Sequence, residues 1–169
     1  EAIVGPDDLV PYLGGHVLQR PECHLAYDNQ LMVMLWASLA ARDTRLAARA
    51  LSRRPEVPEG TGWVSYVRCH DDIGWGLDYD FLKMHGMQEV AHKKYLNDYL
   101  TGKGYNSDAR GELYNDDPRL GDARLCGTTA SLCGIEAAEY EQDAAKLDRS
   151  IRFDIMLHAF LFTQSGIPV

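Results

Sequence analysis

The chain has 169 residues, 46% of them hydrophobic, and carries 17 Lys plus Arg against 25 Asp plus Glu for a net charge of −8. The length sets one domain as the default and two as the bound, with enough apolar residues for a packed core. The acidic balance disfavours nucleic acid, whose phosphates require a basic face, and suits a neutral ligand such as a sugar without arguing for one.

Residues 1 to 5 read as the end of a strand. Pro6-Asp7-Asp8 opens a short helix to about Leu13, because Pro is tolerated in a first turn and acids favour helix N-termini. Gly14-Gly15 ends it, and residues 23 to 27 form a short strand. A long helix is expected from Asn29 to Ser52, with Leu31, Leu35, Leu39 and Leu46 beside Met32 and Trp36 on its apolar face and Asp28 or Asn29 as cap. Met32, Met34 and Trp36 have core spacing and no assigned function. Pro55, Pro58, Gly60 and Gly62 make a loop, and a β-branched strand follows over 63 to 69.

Residues 72 to about 142 are rich in Gly, Asp, Asn and Tyr and read as an insertion. Helices are expected at 87 to 101 and near 127 to 140, with a polar, turn-rich stretch between Gly102 and Arg124. A final helix spans Asp143 to Thr163, with Leu147, Ile151, Ile155, Leu157 and Leu161 as its apolar positions. Gly166-Ile167-Pro168-Val169 is a turn opening another strand. Strands alternating with helices in this order are the pattern of a parallel α/β architecture.

The four cysteines have no C-x-x-C spacing and read as free thiols, which suits a cytoplasmic location. No apolar run reaches about 18 residues, so no membrane partner is expected. The chain opens on Glu1 rather than Met, and the native N-terminus is expected to lie upstream, which empties the missing signal pattern of meaning.

The chemistry concentrates in residues 63 to 75, Trp-Val-Ser-Tyr-Val-Arg-Cys-His-Asp-Asp-Ile-Gly-Trp. An apolar run that ends in His70, Asp71 and Asp72 is how an α/β barrel presents catalytic groups at strand tips. A carboxylate there can stabilise an oxocarbenium-like transition state, and the histidine can hydrogen-bond a sugar hydroxyl. His-Asp is also a common dipeptide, and Asp72 could simply cap the next turn. Trp75, Tyr79 and Tyr114 could stack on sugar faces, although packing is the commoner role of aromatics. As metal ligands, His24 beside Cys23, His70 beside Cys69, and the pair His85 and His92 lack diagnostic spacing. No phosphate-binding glycine loop or nucleophile-elbow motif is present.

Residues 63 to 75 resemble the seventh-strand motif of the α-amylase superfamily, most closely its amylosucrase branch. Glu1-Ala-Ile-Val-Gly-Pro-Asp is similar to the fifth-strand segment of that branch. Gly121-Asp122-Ala123-Arg124-Leu125-Cys126-Gly127-Thr128 resembles a Gly-Asp-x-Arg-x-x-Gly-Thr segment of its seventh-loop insertion. The resemblance covers essentially the whole chain. It implies a partial (β/α)8 TIM barrel, the C-terminal half from strand five to the start of strand eight, with a helical insertion after strand seven. Residues 1–71 would hold strands five to seven, 72–142 the insertion subdomain, and 143–169 helix seven and the start of strand eight.

The resemblance also implies residue roles: Glu1 as general acid/base and Asp71 as transition-state stabiliser, with His70, Asp72 and Arg124 binding substrate. Arg124 could instead form a surface salt bridge to Asp122 or Asp117. The implied substrates are sucrose or an α-glucan, with glucose transfer to an α-1,4-glucan or hydrolysis. No cofactor is expected, and no calcium site can be read. The family's aspartate nucleophile would lie upstream of Glu1, so the chain alone is expected to be inactive, marginally stable and prone to self-association without the missing half-barrel. Two other readings stay open: a metal-dependent phosphohydrolase with His70-Asp71 in a helical setting, and a non-catalytic carbohydrate-binding remnant.

Overall fold

The computed structural model describes residues 5–15 and 22–169. The strand end expected at residues 1 to 5 therefore lies almost wholly outside the described residues. Helix α1 (Pro6–Leu9) passes into a 3-10 turn at Val10–Tyr12, which Gly14 and Gly15 end with positive φ. Strand β1 (Leu25–Tyr27) leads to α2 (Asn29–Ala41) and α3 (Arg45–Ser52), and then to β2 (Gly62–Ser65). After β2 come α4 (Tyr79–Met84), α5 (Glu89–Leu100), the strands β3 (Glu112–Asp117) and β4 (Asp122–Cys126), and α6 (Thr129–Cys133). Helix α7 (Ile135–Glu141), α8 (Ala144–Phe162) and β5 (Ile167–Pro168) complete the order.

Strands β1, β2 and β5 form one parallel sheet in that order, with Ala26 opposite Trp63 and Val64 opposite Ile167. Parallel neighbours need crossovers, and both connections here carry helices. Strands β3 and β4 make a separate antiparallel hairpin. The molecule is thus mixed α/β with a small parallel sheet.

Helix α2 is the centre of the core. Residues Leu31 to Ala37 and Ala40 are all buried, and a helix apolar on every side belongs inside. Its buried residues share one apolar cluster with Tyr66, Val67, Ile73, Trp75, Leu96, Leu100, Leu125, Leu132, Leu157 and Leu161. The residues after β2, the hairpin and α8 therefore share one core with this helix. Met32, Met34 and Trp36 are buried core residues, as their spacing requires.

Several element boundaries differ from expectation. The helix expected from Asn29 to Ser52 is two helices. Arg42 closes α2 in the left-handed region at φ 52°, and the Asp43 carboxylate accepts the Arg45 N–H at 3.0 Å to start α3. The strand expected over 63 to 69 ends at Ser65, because its ladder partners run only to Tyr27 on one side and Pro168 on the other. The helix expected near 127 to 140 breaks at Gly134, whose φ of 87° stops α6 and starts α7. The polar stretch 102 to 124 contains β3 and the start of β4, where no strand was expected. By contrast, α8 matches its expected span, with the Asp143 side chain accepting from the Lys146 N–H at its N-cap.

Candidate functional site

Past Ser65 the chain leaves the sheet and bends at Val67, and two contacts fix its path. The Tyr66 hydroxyl donates to Asn29 Oδ1, and the Trp36 indole N–H donates to the Val67 carbonyl at 2.9 Å. Both partners sit on α2, so the helix under the sheet aims the residues that follow. Arg68 comes next, and its guanidinium donates to the backbone carbonyls of Asp71 at 2.6 Å and Gly127 at 2.8 Å.

His70 and Asp71 then emerge in an irregular loop rather than a helix. His70 Nε2 lies 3.7 Å from Asp71 Oδ1, the imidazole largely exposed and the carboxylate about one-third exposed. The Asp71 N–H points back to Cys69 Sγ at 3.4 Å. Ile73 re-enters regular pairing, exchanging two backbone hydrogen bonds with Leu125 at 2.9 and 3.0 Å. This isolated bridge ties the His70–Gly74 loop to β4 of the hairpin.

The bridge brings the second half of the site to the first. Arg124 lies one residue from Leu125, directly opposite Tyr114 across the hairpin. Its guanidinium packs against Gly74 so closely that a Cβ there would lie 2.5 Å from Arg124 Nη1. The Tyr114 hydroxyl donates to the Asp72 carboxylate, which holds the phenol in its neutral form and pushes its pKa up to about 12. Asp72, Tyr114 and Arg124 thus meet beside the Asp71 loop.

The salt-bridge alternative for Arg124 is not what the structure contains. Asp122 pairs with Lys93 at 2.6 Å, and Asp117 pairs with Arg119 at 3.0 Å. Among the described residues neither Asp71 nor Asp72 is bound in an ion pair to Lys or Arg. Asp71 with His70 beside it, and Asp72 and Arg124 on either side of Tyr114, supply carboxylate, imidazole and guanidinium groups of the kinds that grip a polyhydroxyl ligand.

Other candidates fall elsewhere. Glu1 lies outside the described residues. Trp75 is buried, with its indole N–H donating to Asn97 Oδ1 at 2.7 Å, so it packs the core rather than a ligand. Tyr79 donates to the Trp75 carbonyl and supports that packing. His85 closes α4 while His92 sits in α5, on different helices. Among the described residues no group of three or more His, Cys, Asp or Glu side chains is placed to hold a metal ion, and no helix is long and apolar enough to cross a membrane.

Arg68 and the bond from Tyr114 to Asp72 were missed from sequence. The available signal was an arginine inside an otherwise apolar run, since a cation at such a position must find acceptors.

No protein-family model matches the chain. The chain is similar to the trehalose synthase/amylase TreS of Mycolicibacterium smegmatis, with 27% identity over 73 residues, 43% of this chain and 12% of that protein. The matched stretch thus spans about an eighth of the length of that relative. This is a distant likeness to an enzyme whose name places it in α-glucoside chemistry.

Proposed function

We propose that the chain is the strand-five-to-eight part of a (β/α)8 barrel in a retaining enzyme of the α-amylase superfamily, acting on sucrose or an α-glucan in the manner of the amylosucrase branch. The observation that carries this reading is the meeting of the loop after β2, at Asp72 and Gly74, with Tyr114 and Arg124 of the hairpin, across about fifty residues of intervening chain. The parallel order of β1, β2 and β5 with helical crossovers is compatible with a barrel segment. The distant likeness to a trehalose synthase/amylase supports α-glucosidic chemistry and does not select the substrate.

In this reading a carboxylate nucleophile attacks the anomeric carbon while Glu1 protonates the departing oxygen, and a covalent glucosyl-enzyme forms. Asp71 stabilises the positive charge that develops on the ring. His70 and Asp72 hold sugar hydroxyls, and Arg124 offers its planar donor fork to the acceptor side. Glu1 then takes a proton from the incoming hydroxyl as the second bond forms. Retention needs a nucleophile about 5 to 5.5 Å from the acid/base, and no residue of this chain is assigned that part.

The test is turnover of sucrose and of α-1,4-glucan by the complete product of the coding sequence, beside the 169-residue chain. The complete product is expected to release fructose or reducing sugar. The chain alone is expected to release neither. Asp71→Asn is expected to lower kcat by at least about 10²-fold. A complete product inert towards both sugars overturns the reading. Weak sugar binding that survives Glu1→Gln and Asp71→Asn, with no turnover, would identify a binding remnant instead.

A further inference from the structure

Arg68 is half-buried between the end of β2 and the N-terminus of α6, and all three of its nitrogens are engaged. Nε donates to the Gly127 carbonyl at 2.8 Å, Nη2 to the Asp71 carbonyl at 2.6 Å, and Nη1 faces Met32 Sδ at 3.2 Å. Among the described residues it forms no ion pair. Burial accordingly lowers its pKa from the usual guanidinium value. A cation withdrawn from water, with the Asp72 charge near it but in no ion pair, is a poor way to gain stability, since an apolar side chain of similar volume does as well or better. What a guanidinium supplies that no apolar residue can is geometry, a rigid planar fork able to hold two carbonyls at once.

The two carbonyls belong to the two halves of the site. Asp71 lies in the loop after β2, and Gly127 lies 59 residues beyond Arg68, three positions after Arg124. The far end of this clamp cannot give way easily. A Cβ at Gly127 would stand 2.7 Å from Leu132 Cδ2, so that backbone is pressed against buried α6. At the near end the Asp71 N–H makes a long contact to the Cys69 sulfur and the carboxylate lies 3.7 Å from His70 Nε2, while Ile73, two residues on, is bonded to Leu125. Arg68 thus holds Asp71 by its backbone carbonyl and leaves its carboxylate, which faces His70, out of the clamp.

We propose that Arg68 is a positioning residue that locks the Asp71 loop and the Arg124 segment into one register, setting the Asp71 carboxylate against the reacting centre of the sugar. This rests on the glycosyl-transfer reading above. A lysine keeps the charge but is a point donor, so it cannot span both carbonyls.

The experiment places Arg68→Lys and Arg68→Met in the complete polypeptide. Both variants are expected to lose about 10- to 100-fold in kcat, the scale of a misplaced reacting group. KM is expected to change by less than about twofold, because the lost interaction acts in the transition state. Hydrogen exchange is expected to quicken together at residues 69–74 and 124–128, and to stay unchanged in α8. An Arg68→Lys enzyme with wild-type kcat overturns the proposal, as does quickening in one segment alone. Should the variants fail to fold, the wild-type Arg68 Nε–H decides by NMR. A resolved, slowly exchanging resonance supports the clamp, and a fast-exchanging one overturns it. A wild-type polypeptide without turnover retires the glycosyl-transfer reading, while the exchange data still decide whether the clamp exists.

Discussion

Gly74 leaves no room for a side chain, because the Arg124 guanidinium occupies the space where its Cβ would stand. Its φ is not positive, so an alanine backbone fits there without strain. The group that must move is the far end of a flexible arginine. Gly74→Ala is therefore expected to change unfolding free energy by about 0.5 kcal/mol or less, as for a surface substitution. It should nevertheless displace Arg124 and weaken sugar binding by about 1.5 to 3 kcal/mol, the worth of a charged hydrogen bond. A denaturant melt beside a sucrose titration in the complete polypeptide separates the two effects, and unchanged affinity would remove Arg124 from the pocket. The arginine itself was legible in the Gly-Asp-x-Arg-x-x-Gly-Thr segment, and so was Gly74 in the motif after His70-Asp71. Arg68 was not, since a guanidinium that binds backbone carbonyls leaves no complementary residue type to find, and Tyr114 was legible as an aromatic near the motif but not as the partner of Asp72. Their partners are set by the path of the chain.

At the scale of elements, caps were legible and the breaks inside the longer helices were not. Asp28 and Asp143 stand before apolar runs, and both cap their helices in the structure. The break between α2 and α3 lacks Gly and Pro and depends on Arg42 adopting a left-handed conformation that few residues favour. The β3–β4 hairpin was hidden for a similar reason. Its first strand, Glu-Leu-Tyr-Asn-Asp-Asp, is polar, bulged between Tyr114 and Asp117, and bridged to the distant Ile73 through β4.

The Asp28 cap carries a prediction of its own. Its carboxylate accepts the Leu31 N–H at 3.0 Å and lies 3.0 Å from Arg54, yet burial outweighs both and raises its pKa above the unfolded value of 3.8. The folded state therefore binds this proton more readily than the unfolded state. The contribution of Asp28 is greatest below pH 3.8, falls as pH rises through the folded pKa, and is level above it. Asn at this position keeps an acceptor for the cap but does not titrate. Relative to Asp28→Asn, the wild-type chain is expected to gain stability as pH is lowered from 7 towards 4. Asp28→Ala loses the cap and is expected to be about 1 kcal/mol less stable than Asp28→Asn at pH 7. Urea titrations of the three proteins at both pH values check the order and the sign. A difference between wild type and Asn that does not move with pH would mean that the buried carboxylate is better compensated than its surroundings indicate.

For the molecule as a whole, the surface is larger than its mass requires. A folded monomer of this size exposes about 8,300 Å² by size scaling, against 9813 Å² here. Part of the excess is apolar and concentrated on α8, where the sequence pattern expected Ile151 and Ile155 to be buried with Leu157 and Leu161. The structure buries only the second pair, and leaves Ile151, Ile155, Met156 and Phe162 exposed because no described residue covers that side. The same helix walls an apolar groove of about 420 Å³ with Leu35, Leu39 and Leu51 of α2 and α3. Strand β5 adds a sheet edge paired, among the described residues, only with β2, with Ile167 and Val169 exposed. Apolar patches beside an open edge drive association of chains. The 169-residue chain is expected to self-associate at about micromolar concentrations and above, the range where such surfaces become hazardous. Sedimentation velocity is expected to show species heavier than 18.9 kDa. The double substitution Ile155→Lys with Phe162→Lys should shift them towards monomer without lowering the midpoint of unfolding, because neither side chain contributes to the buried cluster. A monodisperse wild-type monomer would show that α8 tolerates water. Association that persists in the double variant would assign it to the β5 edge instead.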